Sequence, residues 1–275
     1  MAEHESSGFA EVNGARLAYD STGTGPALVL LHGHILDRRQ WDDQIAAFTQ
    51  HYRVVRYDAR GFGQSTDPGE PFSHHEDLRG LMTALDIKHA ALIGCSGGGA
   101  ACIDFALTYP ALTDALILVD SALNGVPFPS DPPPLLLQMQ EAMARNDLDA
   151  AVEYGLQLWT DGPRRPADVN PAVRERTRQM MTELWSRQQT GAENQPAQPP
   201  AAERLAELAV PTLAIVGSAD NSFIHQIADL VAAKAPGARK VVIDDAGHHP
   251  NMEHHQKFNA LVLEFLSDAL KGRTG

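Results

Sequence analysis

Gly94-Cys95-Ser96-Gly97-Gly98 constrains this chain more than any other stretch. The apolar run Ala90–Ile93 precedes it and the small-residue segment Gly99–Leu107 follows, which reads as a buried strand, a sharp turn and a helix. A serine at such a turn takes a strained backbone conformation that lifts its hydroxyl above the carboxyl end of the strand. Glycines flank it because side chains there would strike the strand or the helix. The competing reading is an ordinary Gly/Ser turn, and three other motifs decide between the two.

Upstream, the apolar strand Ala27–Leu31 runs directly into His32-Gly33-His34. A second strand, Tyr52–Tyr57, ends in Asp58-Ala-Arg-Gly-Phe-Gly-Gln-Ser65, whose glycines permit a tight loop at the same sheet edge. Near the end of the chain, Ala246-Gly247-His248-His249-Pro250 follows the strand Arg239–Ile243 and precedes a helix rich in Phe and Leu. Strand and helix patterns alternate along most of the sequence, which predicts an α/β fold with a mostly parallel sheet and helices on both faces. Phe9–Val12 and Ala15–Tyr19, split by Asn13-Gly14, predict an opening hairpin. Asp37 and Gln40 have the spacing of a capping box for a helix carrying Trp41, Ile45 and Phe48 on its apolar face.

These motifs together resemble the α/β-hydrolase family, in the chain order serine, aspartate, histidine, over roughly residues 9–120 and 205–270. The resemblance implies a core of residues 1–120 and 206–275 interrupted by a helical cap at 121–205, where prolines and Met-bearing helical segments replace the strands. It implies Ser96 as nucleophile, His248 as general base, and Asp220 as the acid that orients the imidazole. Asp120, which ends the strand after the serine turn, competes with Asp220, because some members place their acid there. His249 is the lesser candidate for the base. The oxyanion of the tetrahedral intermediate falls to the backbone N–H groups of His34 and Gly97. The His34 imidazole either contacts substrate or, as we expect, hydrogen-bonds within its own loop, while His32 supports that loop.

The expected activity is hydrolysis of a carboxylic ester of a small, moderately apolar substrate through an acyl-enzyme. An enol-lactonase or other lactone hydrolase is the alternative, and a non-catalytic ligand-binding member of the fold is the reading from another class. Aspartate in place of Ser96 would imply an epoxide hydrolase or dehalogenase. Carbon–carbon bond hydrolases and haloperoxidase-like members usually carry Met where this chain has Gly97. The arginines of the insertion bear on the lactone alternative: Arg164 and Arg165 have mostly polar neighbours, and Arg174, Arg176 and Arg178 fall at every second position. On a helix that spacing spreads them around the surface, so no convergent clamp for a substrate carboxylate is expected.

Composition narrows the partners to a small-molecule ester or lactone. A formal net charge of -13 over 275 residues argues against nucleic acid or an anionic membrane surface. No apolar run has the length of a signal peptide or a membrane span, which predicts a cytoplasmic protein. The two cysteines, Cys95 and Cys102, read as small packing residues. Twelve histidines include the pairs His74-His75, His248-His249 and His254-His255, but none forms a helical i, i+4 couple with an intervening Glu, so neither a metal nor a cofactor is expected. Oligomeric state is left open.

Overall fold

A computed structural model describes residues 6–127, 130–187 and 190–271. β1 (Ser6–Val12) and β2 (Ala15–Thr22) pair antiparallel. Their two-residue turn holds Asn13 and Gly14 at φ 46° and 81°, the left-handed geometry that matches the twist of the flanking strands. The chain continues through β3 (Ala27–Leu31), α1 (Asp42–Phe48), β4 (Arg53–Tyr57), α2 (His74–Ala84), β5 (Ala90–Cys95), α3 (Ser96–Thr108) and β6 (Thr113–Val119). A helical stretch follows, with α4 (Pro134–Ala144), α5 (Leu148–Gly155), a π-helical run at Leu156–Asp161, α6 (Pro171–Trp185) and the short α7 (Ala201–Arg204). The sheet resumes with β7 (Thr212–Gly217), α8 (Ser222–Lys234) and β8 (Arg239–Ile243), and the chain closes on α9 (Pro250–Glu253) and α10 (His255–Ala269).

The eight strands are ordered β1-β2-β4-β3-β5-β6-β7-β8. β2 meets β4 antiparallel, and every neighbouring pair from β4 to β8 is parallel. β5, β6 and β7 are buried along their length because both faces of the sheet are covered. On one face Leu81 of α2, Phe105 of α3 and Ile227 of α8 pack with Leu92 and Leu116. On the other, Trp41, Phe48 of α1 and Phe258 and Phe265 of α10 pack with Ile93, Ile117 and Ile215. Cys95 and Cys102 are free thiols inside these layers.

Register positions the functional loops. Leu31 is paired with Gly94, Cys95 with Val119, Val119 with Ile215, and Gly217 with Ile243. The segments that leave these strands, beginning at His32, Ser96, Asp120, Ser218 and Asp244, therefore emerge along one edge of the sheet. That edge, flanking the point where strand order reverses between β3 and β5, is where open α/β sheets form their crevice.

One local expectation is corrected. Asp37 caps only a four-residue 3-10 turn, Arg38–Trp41, accepting from the Arg39 N–H. Gln40 does not reach back to it; its Oε1 accepts from the Gly33 N–H at 2.9 Å. The tighter turn swings Gln40 inward, where its amide also meets Asn251, which in turn bonds Gln44.

Candidate active site

Ser96 sits at φ 50°, a left-handed conformation that an L-residue holds only where its surroundings over-determine it. Those surroundings are close. A β-carbon at Gly98 would lie 2.3 Å from the His32 carbonyl oxygen, and one at Gly94 would lie 2.5 Å from the Gly98 carbonyl oxygen. Only glycine lets β5, α3 and the loop after β3 meet this tightly. That loop is itself pinned: His32 Nδ1–H donates to the Gly33 carbonyl and Nε2 accepts from the Ala59 N–H, each at 2.9 Å. Burial lowers the His32 pKa, against the charge of Asp58 and the Gly33 hydrogen bond, in keeping with a neutral ring. The expected supporting role of His32 thus has its bonds.

His248 is buried on the segment between β8 and α9, and its Nδ1 lies 2.6 Å from Asp220 Oδ2. Asp220 Oδ1 accepts from the Asn221 backbone N–H at 2.7 Å. Burial works to raise the Asp220 carboxyl, but the charge and hydrogen bond of His248, together with the Asn221 N–H, outweigh it and hold it below the ordinary carboxylate value. Asp120 belongs to the same cluster: its carboxyl, that of Asp220 and the His248 ring offer atoms within 4.8 Å of one another. Asp120 Oδ1 accepts from the Gly217 N–H at 3.0 Å, while Oδ2 is buried with no donor facing it among the described residues. Burial first, then the Asp220 charge, pushes the Asp120 carboxyl well above its ordinary value. Two buried carboxyls this close do not both ionise, so the proton of the pair belongs to Asp120. The trio is the one grouping of metal-ligating side chains among the described residues. A cation there would have to displace the bond between His248 and Asp220.

His249 is fully buried beside His248, ring centroids 5.4 Å apart, with no partner for either ring nitrogen among the described residues. Burial and the His248 charge push its pKa down to about 3, so the ring is neutral.

The His34 ring differs from the loop-bonded expectation. It stacks on Phe62 at 5.2 Å and meets His74 at 4.5 Å, and its Nε2 is buried without a partner among the described residues. It covers Gly97 so closely that a β-carbon there would lie 2.3 Å from His34 Nδ1. Burial, then the neighbouring His32, lowers its pKa to about 3. Beside it opens a pocket of about 120 Å³ lined by His74, His75, Gly97, Ala100, Ala101, Asp104, Asn124 and Asn194 among others. Asp104, Asn124 and Asn194 belong to no motif in the sequence. The one available signal was the spacing of Gly97, Ala100, Ala101 and Asp104, which places them on one helix face.

The helical stretch reaches this cluster through its π-helical run. The Trp159 carbonyl accepts from the His248 N–H at 3.0 Å, and the indole lies 4.8 Å from the imidazole, centroid to centroid. Arg164, which the sequence places only among polar neighbours, is tied into the fold. Its side chain is 11% exposed, and the guanidinium bonds Glu253 Oε2 and the carbonyls of Asp245 and Thr160, each at 2.7 Å. Glu253 Oε1 in turn accepts from the Gly247 N–H. Arg165 stays exposed on Asp168. Arg174 and Arg178 both pair with Glu153, being four residues apart on one face, while Arg176 pairs with Asp43. The alternate spacing thus separates only Arg176, and each of the three already has a carboxylate.

Known proteins agree with this architecture. Residues 26–255 match the family model of the alpha/beta hydrolase fold. The chain is 29% identical to a 2-hydroxy-6-oxononadienedioate/2-hydroxy-6-oxononatrienedioate hydrolase of Burkholderia vietnamiensis, over 91% of each chain. It is also 29% identical to a pimeloyl-[acyl-carrier protein] methyl ester esterase of Pectobacterium carotovorum, over 91% of this chain and 98% of that one. The solved enol-lactonase of Burkholderia xenovorans LB400 superposes with a TM-score of 0.79 at 26% identity, covering 94% of this chain and all of the other. With the strand order, the left-handed serine and a family match over most of its length, this chain belongs to the α/β-hydrolase family and is a hydrolase.

Proposed function

We propose that the protein is a serine hydrolase that cleaves a carboxylic ester or lactone through an acyl-enzyme on Ser96. The observation that carries this reading is the buried 2.6 Å contact between His248 Nδ1 and Asp220 Oδ2, on the same sheet edge as the left-handed serine. With the Nδ1 proton committed to Asp220, Nε2 keeps its lone pair and serves as base. Ser96 Oγ attacks the substrate carbonyl carbon as His248 Nε2 takes its proton, and the carbonyl electron pair moves onto oxygen. The backbone N–H groups of Gly97 and His34 hold that oxyanion; Gly97 lies in the first turn of α3, where N–H groups lack an intrahelical partner. Collapse expels the alcohol, which receives the proton from His248. Water then repeats the sequence on the acyl-enzyme and releases the acid.

Residues 121–205 form the cap over this site in the same reading. Support comes from the Trp159 contacts with His248 and from the Arg164–Glu253 bridge, which tie the insertion to the base. The relatives include an esterase and an enol-lactonase, and Gly97 stands where carbon–carbon bond hydrolases usually carry Met, so ester or lactone cleavage is preferred here. The test is p-nitrophenyl acetate turnover with a pre-steady-state burst, together with stoichiometric labelling by a serine-directed phosphonate. Both are expected in the wild type, and both are expected to vanish in Ser96→Ala. A Ser96→Ala variant that keeps its burst would overturn the assignment.

A further inference from the structure

Gly97, Ala100, Ala101 and Asp104 run down one face of α3, from the proposed oxyanion position to a carboxyl about 10 Å along the helix. Glycine and alanine leave that face bare, and the space above it is the pocket of about 120 Å³, the share of about four water molecules. Its end is polar and incomplete. Asp104 is 1% exposed; its Oδ2 accepts from Asn124 Nδ2 at 2.8 Å and from the Ala197 N–H at 3.0 Å, but Oδ1 has no partner among the described residues. A buried acceptor left unpaired costs about 1–3 kcal/mol, and more if it is charged, so a ligand that brings a donor recovers that loss. No Lys or Arg is among the lining residues. Burial drives His34 down to about 3 and His74 well below its ordinary value, so those rings are neutral walls.

We propose, on the serine-hydrolase reading above, that this pocket is a substrate subsite for a short chain of about four to six non-hydrogen atoms ending in a hydrogen-bond donor, a hydroxyl or an ammonium, accepted by Asp104 Oδ1. A chain ending in carboxylate is disfavoured: burial already raises the Asp104 carboxyl above its ordinary value, against the Ala197 and Asn124 hydrogen bonds, and a second carboxylate beside it adds to the cost of burying charge there. The preference for moderately apolar esters expected from the sequence thus narrows to neutral or cationic donor-bearing ones.

The experiment compares kcat/KM for methyl hexanoate, methyl 6-hydroxyhexanoate, methyl 6-aminohexanoate and monomethyl adipate, with butyl acetate and 4-hydroxybutyl acetate as the alcohol-side arm. In the arm whose chain enters the pocket, the donor-ended ester is expected to exceed its methyl-ended analogue about tenfold, as one hydrogen bond to a charged group supports, with adipate last in the acyl arm. Asp104→Asn extends the test. Its amide oxygen stays with the Asn124 and Ala197 donors, which turns its NH₂ toward the pocket, so the donor preference should reverse and adipate should rise. A wild-type enzyme that favours the methyl-ended esters in both arms, or favours adipate, overturns the subsite, and this readout needs no variant to fold. p-Nitrophenyl acetate, which carries no terminal hydrogen-bond donor on either side, separates the two claims. Turnover that Ser96→Ala abolishes, without any donor preference, removes only the subsite; no acetate turnover at all removes the hydrolase reading on which it rests.

Discussion

Asp120 and Asp220 carry the same side chain in one buried cluster, yet their partners assign them opposite protonation. Asp220 faces the His248 Nδ1–H and the Asn221 N–H and remains a carboxylate; Asp120 has one backbone donor and a charged neighbour and remains an acid. Asparagine mimics an un-ionised acid, because it keeps one acceptor and one donor. Asp120→Asn is therefore expected to change kcat by less than about threefold, and Asp120→Ala, which leaves the Gly217 N–H unpaired, to cost more. Asp220→Asn should lower kcat by about four orders of magnitude through the wrong imidazole tautomer. Steady-state kinetics on one p-nitrophenyl ester ranks all three, and a reversed order of the two asparagine variants would make Asp120 the acid. The sequence names Ser96, His248 and the Asp120–Asp220 pair because each follows a strand in a short motif. The family resemblance prefers Asp220, but the residues alone do not show why, since what distinguishes the two acids is which N–H groups and which imidazole the folded chain delivers to each.

Between residue and fold lie the segments that hold the site's parts in register. Strands, the Asn13-Gly14 hairpin and the serine turn are legible in the sequence because periodicity and turn chemistry are local. Gln40, Arg164 and Asp104 are not, because their partners, Gly33 and Asn251, Glu253, and Ala197, become neighbours only once the chain has closed. Arg164 shows the consequence. Its carbonyl acceptors belong to the π-helical run and to the segment after β8, and its carboxylate partner holds the Gly247 N–H next to His248. Removing the guanidinium leaves Glu253, only 4% exposed, as a buried anion without a countercharge, held by the Gly247 N–H alone. Arg164→Ala is expected to destabilise the fold by about 3 kcal/mol, read from urea unfolding, and to lower kcat more than it changes KM. Arg165→Ala, on the exposed Asp168 pair, should shift the unfolding free energy by less than about 1 kcal/mol. Equal effects of the two would remove the bridging role of Arg164.

Over the whole molecule the buried imidazoles tie stability to pH. His34 and His249 titrate near 3 in the folded protein and at about 6.5 when unfolded, so the unfolded chain binds the more protons as the medium is acidified. Their contribution is complete above pH 6.5 and is lost as pH falls toward 3, each ring removing up to about 1.4 kcal/mol per pH unit. Asp120 runs the other way: its raised pKa favours the fold most below the ordinary carboxylate range and progressively less above it. From pH 7 to pH 5 the imidazoles dominate, and the urea midpoint should fall. His249→Phe, which keeps a ring without a titrating nitrogen, should flatten that slope, whereas a midpoint unchanged between pH 7 and pH 5 would mean that these rings are not held neutral. The bond from the His248 N–H to the Trp159 carbonyl has a further consequence for such an enzyme's diversification. The helical stretch and the imidazole share this backbone contact, so in the proposed mechanism a transplanted helical segment would re-aim the base as it reshaped the substrate's surroundings. New selectivity obtained by exchanging this segment would arrive together with a change in intrinsic reactivity, and the two traits could be uncoupled only by compensating changes around residues 159 and 248.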